Sequence, residues 1–186
     1  MGAAEKTPAQ AIQGAETPAA VWPAGGWYEG RYAGREAFGQ LLRDGLAAAA
    51  HAGVAELILS DPDFSDWPLG ERAVVQSLND WALTTGQGRV TLLAASYDEV
   101  VRRHARFVQW RVQWAHKIEC RRWREGDAQE LPSLLWTLQW AMRRDDLERC
   151  TGLATCDPRS RVALRERIGE WLRRSAAGFP ASVAGL

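Results

Sequence analysis

The stretch Glu56–Ala94 constrains the fold more than any other part of the chain. It runs through an apolar segment (AELILS), an acidic turn (DPDFSDWP), a helical pattern (LGERAVVQSLNDWALTTG) and a second apolar segment (RVTLLAA). Leu57, Ile58 and Leu59 are consecutive apolar residues, so both faces of that strand need cover, as in a central parallel strand flanked by helices. Val74, Val75, Leu78, Trp81 and Ala82 form the buried stripe of the helix between. Gly86 and Gly88 interrupt the chain before the strand 89–95. Strand, helix, strand is a βαβ unit, the seed of a parallel sheet.

The flanking segments extend this pattern. Gly34–Ala52 reads as a helix, with Phe38, Leu41, Leu42, Leu46 and Ala49 on one face and Gly53 as its C-cap. Tyr97–Trp114 reads as one helix or two short ones, with Tyr97, Val100, Val101, His104, Phe107 and Val108 on a shared face. Ala115–Trp123 alternates as a strand, His116, Ile118 and Cys120 against Lys117, Glu119 and Arg121. Gly126–Glu130 is a polar turn. Ser133–Arg143 fits one bent strand or a hairpin, and Gly152–Cys156 a short strand. Asp157-Pro158 opens a final helix with an N-cap and a first-turn proline. Leu164, Ile168, Trp171 and Leu172 are its apolar face, and Gly178 and Pro180 end it.

The fold class expected is therefore α/β: one domain over 27–180, a mixed, mostly parallel sheet flanked by helices. Residues 1–26 are Ala, Gly, Pro and Gln without apolar periodicity, so a disordered N-terminal tail is expected, with a short C-terminal tail at 181–186. The tail lacks the basic start and apolar core of a signal peptide. With 186 residues, 46% of them apolar and 25% charged, the chain can bury an ordinary core. Zero formal net charge gives no global field toward nucleic acid or membrane. No apolar run is long enough to span a bilayer. Cys120, Cys150 and Cys156 form no CxxC pair and read as reduced thiols of a cytoplasmic protein. Lys6 and Lys117 are the only lysines among many arginines, which with abundant Ala and Gly suggests a GC-rich bacterial genome.

Three groups of residues are candidates for function. Asp61, Asp63 and Asp66 cluster in the turn after the first βαβ strand, where open α/β sheets gather ligands. Three carboxylates could hold a hard cation, but turn and cap roles account for aspartates there without one, so no metal is assigned. His116 and Cys120 would lie about 13 Å apart on one strand face, too far to share a metal. No nucleophile elbow or phosphate-cradling loop is present, so no catalytic residue and no cofactor are assigned. The third group is basic. From Arg102 to Arg124 there are eight basic residues against one acid, Glu119, while Glu56–Asp80 holds six acids against one base, Arg72. Arg102, Arg103, Arg106 and Arg111 alternate with Trp110 and Trp114, a mixture suited to phosphates and bases. The same pattern also fits a solvated helix face paired with the acidic segment, or with a second subunit. Ten tryptophans in the chain either fill its core or form a contact surface.

LILSDPDF at 57–64, VVQSL at 74–78, RVTLLA at 89–94 and GLATCDPRSRVALRERIGEWLRRS at 152–175 resemble one half-domain of the phospholipase D-like proteins. They resemble more closely an uncharacterised bacterial family with this half-domain, sometimes fused to acetyltransferase domains. Enzymes of the superfamily carry H-x-K-x4-D, with the His as nucleophile and the Lys on the phosphate, and two such motifs meet. The equivalent strand here, Ser133–Arg143, has no His, Lys or Asp, and the nearest look-alike, His116-Lys117, lies one strand too early. The resemblance thus implies the fold without the activity. The leading expectation is a non-catalytic interaction module that binds itself as a homodimer, or another protein, through exposed tryptophans. The alternatives are nucleic-acid binding through 102–124 and a divergent phosphodiesterase using His116 or His104. No membrane partner is expected.

Overall fold

A computed structural model of the protein describes residues 26–181. The expected tails lie outside these residues, except for Gly26 and Ala181. The element order is β1 (Gly30–Tyr32), α1 (Arg35–Ala52), β2 (Glu56–Ser60), α2 (Arg72–Thr84), β3 (Arg89–Ala94), α3 (Asp98–Arg103), α4 (Ala105–Gln113), β4 (Ile118–Arg122), β5 (Ser133–Trp136), β6 (Ala141–Asp146), β7 (Thr151–Thr155), α5 (Pro158–Arg174) and β8 (Ala176–Ala177). All eight strands form one mixed sheet in the order β1-β7-β6-β5-β2-β3-β4-β8.

The βαβ unit forms as the sequence reads: Leu57 pairs with Val90 and Leu59 with Leu92 in a parallel ladder. A second crossover, through α3 and α4, sets β4 parallel to β3. The sheet as a whole departs from the mostly parallel expectation. Two of its seven pairings are parallel and five are antiparallel. The cause is the connections after β4. β5, β6 and β7 follow one another through turns of a few residues, and a short turn can only join antiparallel neighbours. Ser133–Arg143 is accordingly a hairpin. Thr137 closes it, its hydroxyl accepting from Gln139 N and Trp140 N and donating to Trp140 O.

Helices cover both faces. Leu57 and Leu59 face the main core with α1, α2, α3 and α4, while Ile58 faces a second core under α5, where Leu164, Trp171 and Leu172 surround Ile168. Gly53 ends α1 at φ 58°, the left-handed region that glycine enters without steric cost. Asp157 caps α5, its carboxylate accepting from Ser160 N.

Two local expectations change. The 97–114 segment takes the two-helix form, divided at His104, but Val101, next to the buried Val100 in α3, is exposed instead of sharing the buried face. Residues 115–117 form a 3₁₀ turn, so the strand starts at Ile118 and His116 is not on it.

The tryptophans follow the core-filling reading and not the contact-surface one. Trp67, Trp81, Trp110, Trp123, Trp136 and Trp140 are buried, and Trp27, Trp114 and Trp171 are half-buried. The exposed large apolar residues are Leu83, Val101, Val112, Leu138 and Val162. Among the described residues no tryptophan is fully exposed, so the exposed tryptophans on which the homodimer expectation rests are not found. Each buried indole fills a helix–sheet seam where its area is worth most, and several reach an acceptor, as Trp81 Nε1 does at Val54 O (2.7 Å). No described helix is long and apolar enough to cross a membrane.

Candidate functional site

The acidic turn after β2 forms a buried ionic network. Ser60 of β2 pairs with Leu134 of β5, and Ser133 pairs with Arg144 of β6, so three strand ends meet beside Asp61. Asp61 is 1% exposed and accepts five hydrogen bonds. The backbone N–H groups of Asp63 (3.2 Å) and Phe64 (2.9 Å) reach Oδ1. Trp67 Nε1 (2.9 Å), Ser133 Oγ (2.6 Å) and Arg144 Nη2 (2.8 Å) reach Oδ2. Arg144 also donates to Asp66 (2.9 Å) and to Ser133 Oγ (3.2 Å), and its guanidinium lies over the Phe38 ring at 4.5 Å. Asp66 pairs with Arg35 as well. Asp63 is half-exposed and caps its own turn, accepting from Ser65 N. The three carboxylates thus hold arginines and backbone N–H groups. Among the described residues no group of three or more His, Cys, Asp and Glu is arranged to hold a metal ion.

The basic segment divides. Arg111 is 5% exposed and works inside the fold. It donates to Cys120 Sγ (3.0 Å), Pro180 O (3.0 Å) and Phe179 O, and its guanidinium stacks on Phe179. It therefore latches the C-terminal strap against β4. Trp110 is buried. Trp114 is half-buried and donates to Asn79 Oδ1, with the exposed His116 tilted against it. Arg102, Arg103 and Arg106 are exposed along α3 and α4. Arg102 and Arg103 share Glu99, Arg103 also donating to Ser65 O, and Arg106 donates to Gly70 O (3.3 Å). Of the candidate surface, the structure brings these three arginines together. It assigns Trp110 and Arg111 to the interior and leaves His116 past the far end of α4.

Two open grooves adjoin this surface. The larger, about 640 Å³, lies between Arg35, Arg43, Asp66, Glu71, Arg103 and His104. Its charges are matched: Arg43 makes a two-pronged contact with Glu71, and Arg35 pairs with Asp66. His104 lines it, with Nε2 against Phe64 O at 3.2 Å. Burial lowers the pKa of His104 below its ordinary 6.5, and Arg103 adds to that effect, outweighing the carbonyl bond and Glu99. Below about pH 6.5 the unfolded chain therefore binds a proton that the folded chain refuses, and stability falls with acidification; above that pH this group has no effect. Urea midpoints measured between about pH 7 and pH 5 should fall more in the parent protein than in His104→Gln.

The second groove, about 400 Å³, runs between α2 and α4. Both helices cross back between parallel strands, so they run side by side in the same direction. Arg106 reaches Gly70 at one end and Trp114 reaches Asn79 at the other. The rim carries Arg72, Gln76, Gln109 and Gln113, and Trp110 and Val75 also line it. Neither Arg72 nor Arg106 has a carboxylate within 4.0 Å among the described residues, a criterion that the ion pairs elsewhere on this surface meet. Reading the sequence missed Arg72 and the glutamines. The spacing of Arg72, Gln76 and Asn79 at i, i+4 and i+7 would have aligned them on one helical face. It also missed Ser133 and Arg144, for which no local signal exists.

Sheet, helices and grooves define an α/β protein with an eight-stranded mixed sheet and an arginine-bearing helical surface. No protein-family model matches the chain, and a search of curated proteins finds no match. Among solved structures it is similar to TrmBL2, described as an archaeal chromatin protein with a novel mode of DNA binding, at a TM-score of 0.56 and 13% identity. The match covers 80% of this chain and 53% of that one, so this chain spans about half the length of that relative. At such identity the likeness concerns the fold.

Proposed function

We propose that the protein binds nucleic acid through the surface of α2, α3 and α4. The observation that carries this reading is the pair Arg72 and Arg106, two exposed guanidiniums without a carboxylate partner among the described residues. Arg102 and Arg103 on α3 both pair with Glu99, and the same helix carries the exposed Asp98. Guanidiniums of this kind exchange counterions for backbone phosphates, which supplies most non-specific affinity. The description of TrmBL2 as a DNA-binding protein supports the same reading. Trp110 is buried and Trp114 is half-buried with its indole N–H on Asn79, so neither offers an open stacking face, and phosphate contacts carry the binding. The likeness to a phospholipase D-like half-domain contributes a scaffold to this reading and no chemistry, since β5 and β6 carry neither His nor Lys.

Fluorescence anisotropy with a labelled oligonucleotide tests it. Affinity should fall steeply with added salt, and Arg72→Ala and Arg106→Ala should each reduce the log–log slope by roughly 0.7–0.9. Absence of binding at low salt, or unchanged slopes in both variants, would refute the reading.

A further inference from the structure

The α2–α4 groove is built for more than a phosphate. Its head holds Arg72, the first residue of α2, and Arg106, the second of α4. Two helix N-termini therefore open beside two guanidiniums, which is favourable for a phosphate group. Below the head the groove is rich in hydrogen-bond donors. Asn79 uses its oxygen to accept from Trp114, and its amide N–H groups meet no acceptor among the described residues. Gln109 and Gln113 are exposed, and no hydrogen bond of theirs is seen among the described residues. Gln76 donates to Asp80, and no donor reaches its side-chain oxygen among the described residues.

An independent observation comes from Trp110. It lines the groove at 3% exposure, and its buried Nε1–H meets no acceptor among the described residues. Trp67, Trp81, Trp136 and Trp140 each reach one, and Trp123, in the α5 core away from this groove, is the other buried indole that meets none among the described residues. A buried donor left unmade costs about 1–3 kcal/mol, so an orphan beside a lined groove points to a ligand that carries an acceptor. The volume of about 400 Å³ lies within the range of small-ligand sites, about 300–1,000 Å³.

We infer that this groove holds one nucleotide unit. The phosphate sits between Arg72 and Arg106, and a base oxygen or ring nitrogen accepts from Trp110 Nε1, with Gln109 and Gln113 at the base edge. The inference deepens the nucleic-acid reading and rests on it for the identity of the ligand. An unpaired nucleotide of a strand and a free mononucleotide share this chemistry. A paired base inside a duplex cannot enter the groove, so single strands should bind more tightly than duplexes of equal length.

Indole N–H resonances of the ¹⁵N-labelled full chain test it. The Trp110 signal is assigned by its loss in Trp110→Phe, which keeps an aromatic ring against Phe107. Deoxynucleoside 5′-monophosphates should move that signal, and inorganic phosphate should not. Trp110→Phe should weaken mononucleotide binding roughly two- to tenfold. Gln109→Ala, at an exposed position that leaves the core intact, should do the same. A still Trp110 signal, with Arg72-dependent oligonucleotide binding retained, would overturn the groove inference and leave the nucleic-acid reading standing. A signal moved equally by inorganic phosphate would also overturn it, in favour of a plain anion site. A signal moved by mononucleotides with no oligonucleotide bound would uphold the groove as a free-nucleotide site and refute the nucleic-acid reading.

Discussion

Asp61→Ala should cost the fold about 3–5 kcal/mol, the usual loss when one partner of a buried ion pair is removed. The side chains of Asp61 and Arg144 are 1% and 3% exposed, so the abandoned guanidinium has no water to turn to. Burial opposes the charge on Arg144; Asp61, Cys150 and Asp66 outweigh that opposition and raise its pKa above the ordinary arginine value. The arginine thus stays charged in the variant and keeps only Asp66 as a carboxylate partner, which sets the loss toward the lower end of the range. Trp67 Nε1 and Ser133 Oγ lose their acceptor in the same step. Denaturant midpoints of Asp61→Ala, Arg144→Met and the double variant measure the coupling. The double variant should lose clearly less than the sum of the singles, because it leaves no buried charge unpaired. Additive losses under about 1 kcal/mol each would mean that the network does not hold the strand ends together.

This network marks the limit of what local sequence could convey. The DPDF turn announces a strand end and a capping aspartate, and Asp61 does accept from Asp63 N and Phe64 N. The other half of its role comes from Arg144, 83 residues along the chain, through a β5–β6 hairpin whose register no periodicity encodes. The βαβ core was legible because Leu57, Ile58 and Leu59 declare two covered faces and Val74, Leu78 and Trp81 declare one. β1 and β8 are three and two residues long, too short to leave a pattern. The basic segment was legible as charge, but its division was not. Arg106 and Arg111 look alike in sequence, and only the return of Phe179 and Pro180 across β4 turns Arg111 inward. The glutamines of the groove carry no charge to draw notice, and they became meaningful once α2 was set beside α4.

Gly152→Ala should also be severe, for a reason of backbone geometry. Gly152 lies in β7 between Tyr32 of β1 and Arg144 of β6. The Tyr32 hydroxyl crosses over it to donate to Arg143 O at 2.9 Å. Burial raises the pKa of that phenol far above its ordinary 10, so it remains a donor at all working pH values. A Cβ at residue 152 would run into the Arg143 carbonyl oxygen and the Tyr32 ring. A side-chain tip can swing away, whereas the carbonyl belongs to the strand that carries Arg144 and cannot. Overpacking costs about 1–3 kcal/mol where side chains absorb it; with a backbone atom in the way, the loss should reach or exceed the upper figure. Tyr32→Phe alone removes one hydrogen bond, about 1 kcal/mol, and should not rescue Gly152→Ala, because the obstruction by the Arg143 carbonyl remains. Thermal unfolding of the three variants, with hydrogen exchange at the β1 and β7 amides, checks this. A Gly152→Ala protein within about 0.5 kcal/mol of the parent, the scatter of ordinary surface substitutions, would show that β6 can shift. The placement of Arg144 against Asp61 would then depend on the carboxylate network alone and not on the sheet behind it.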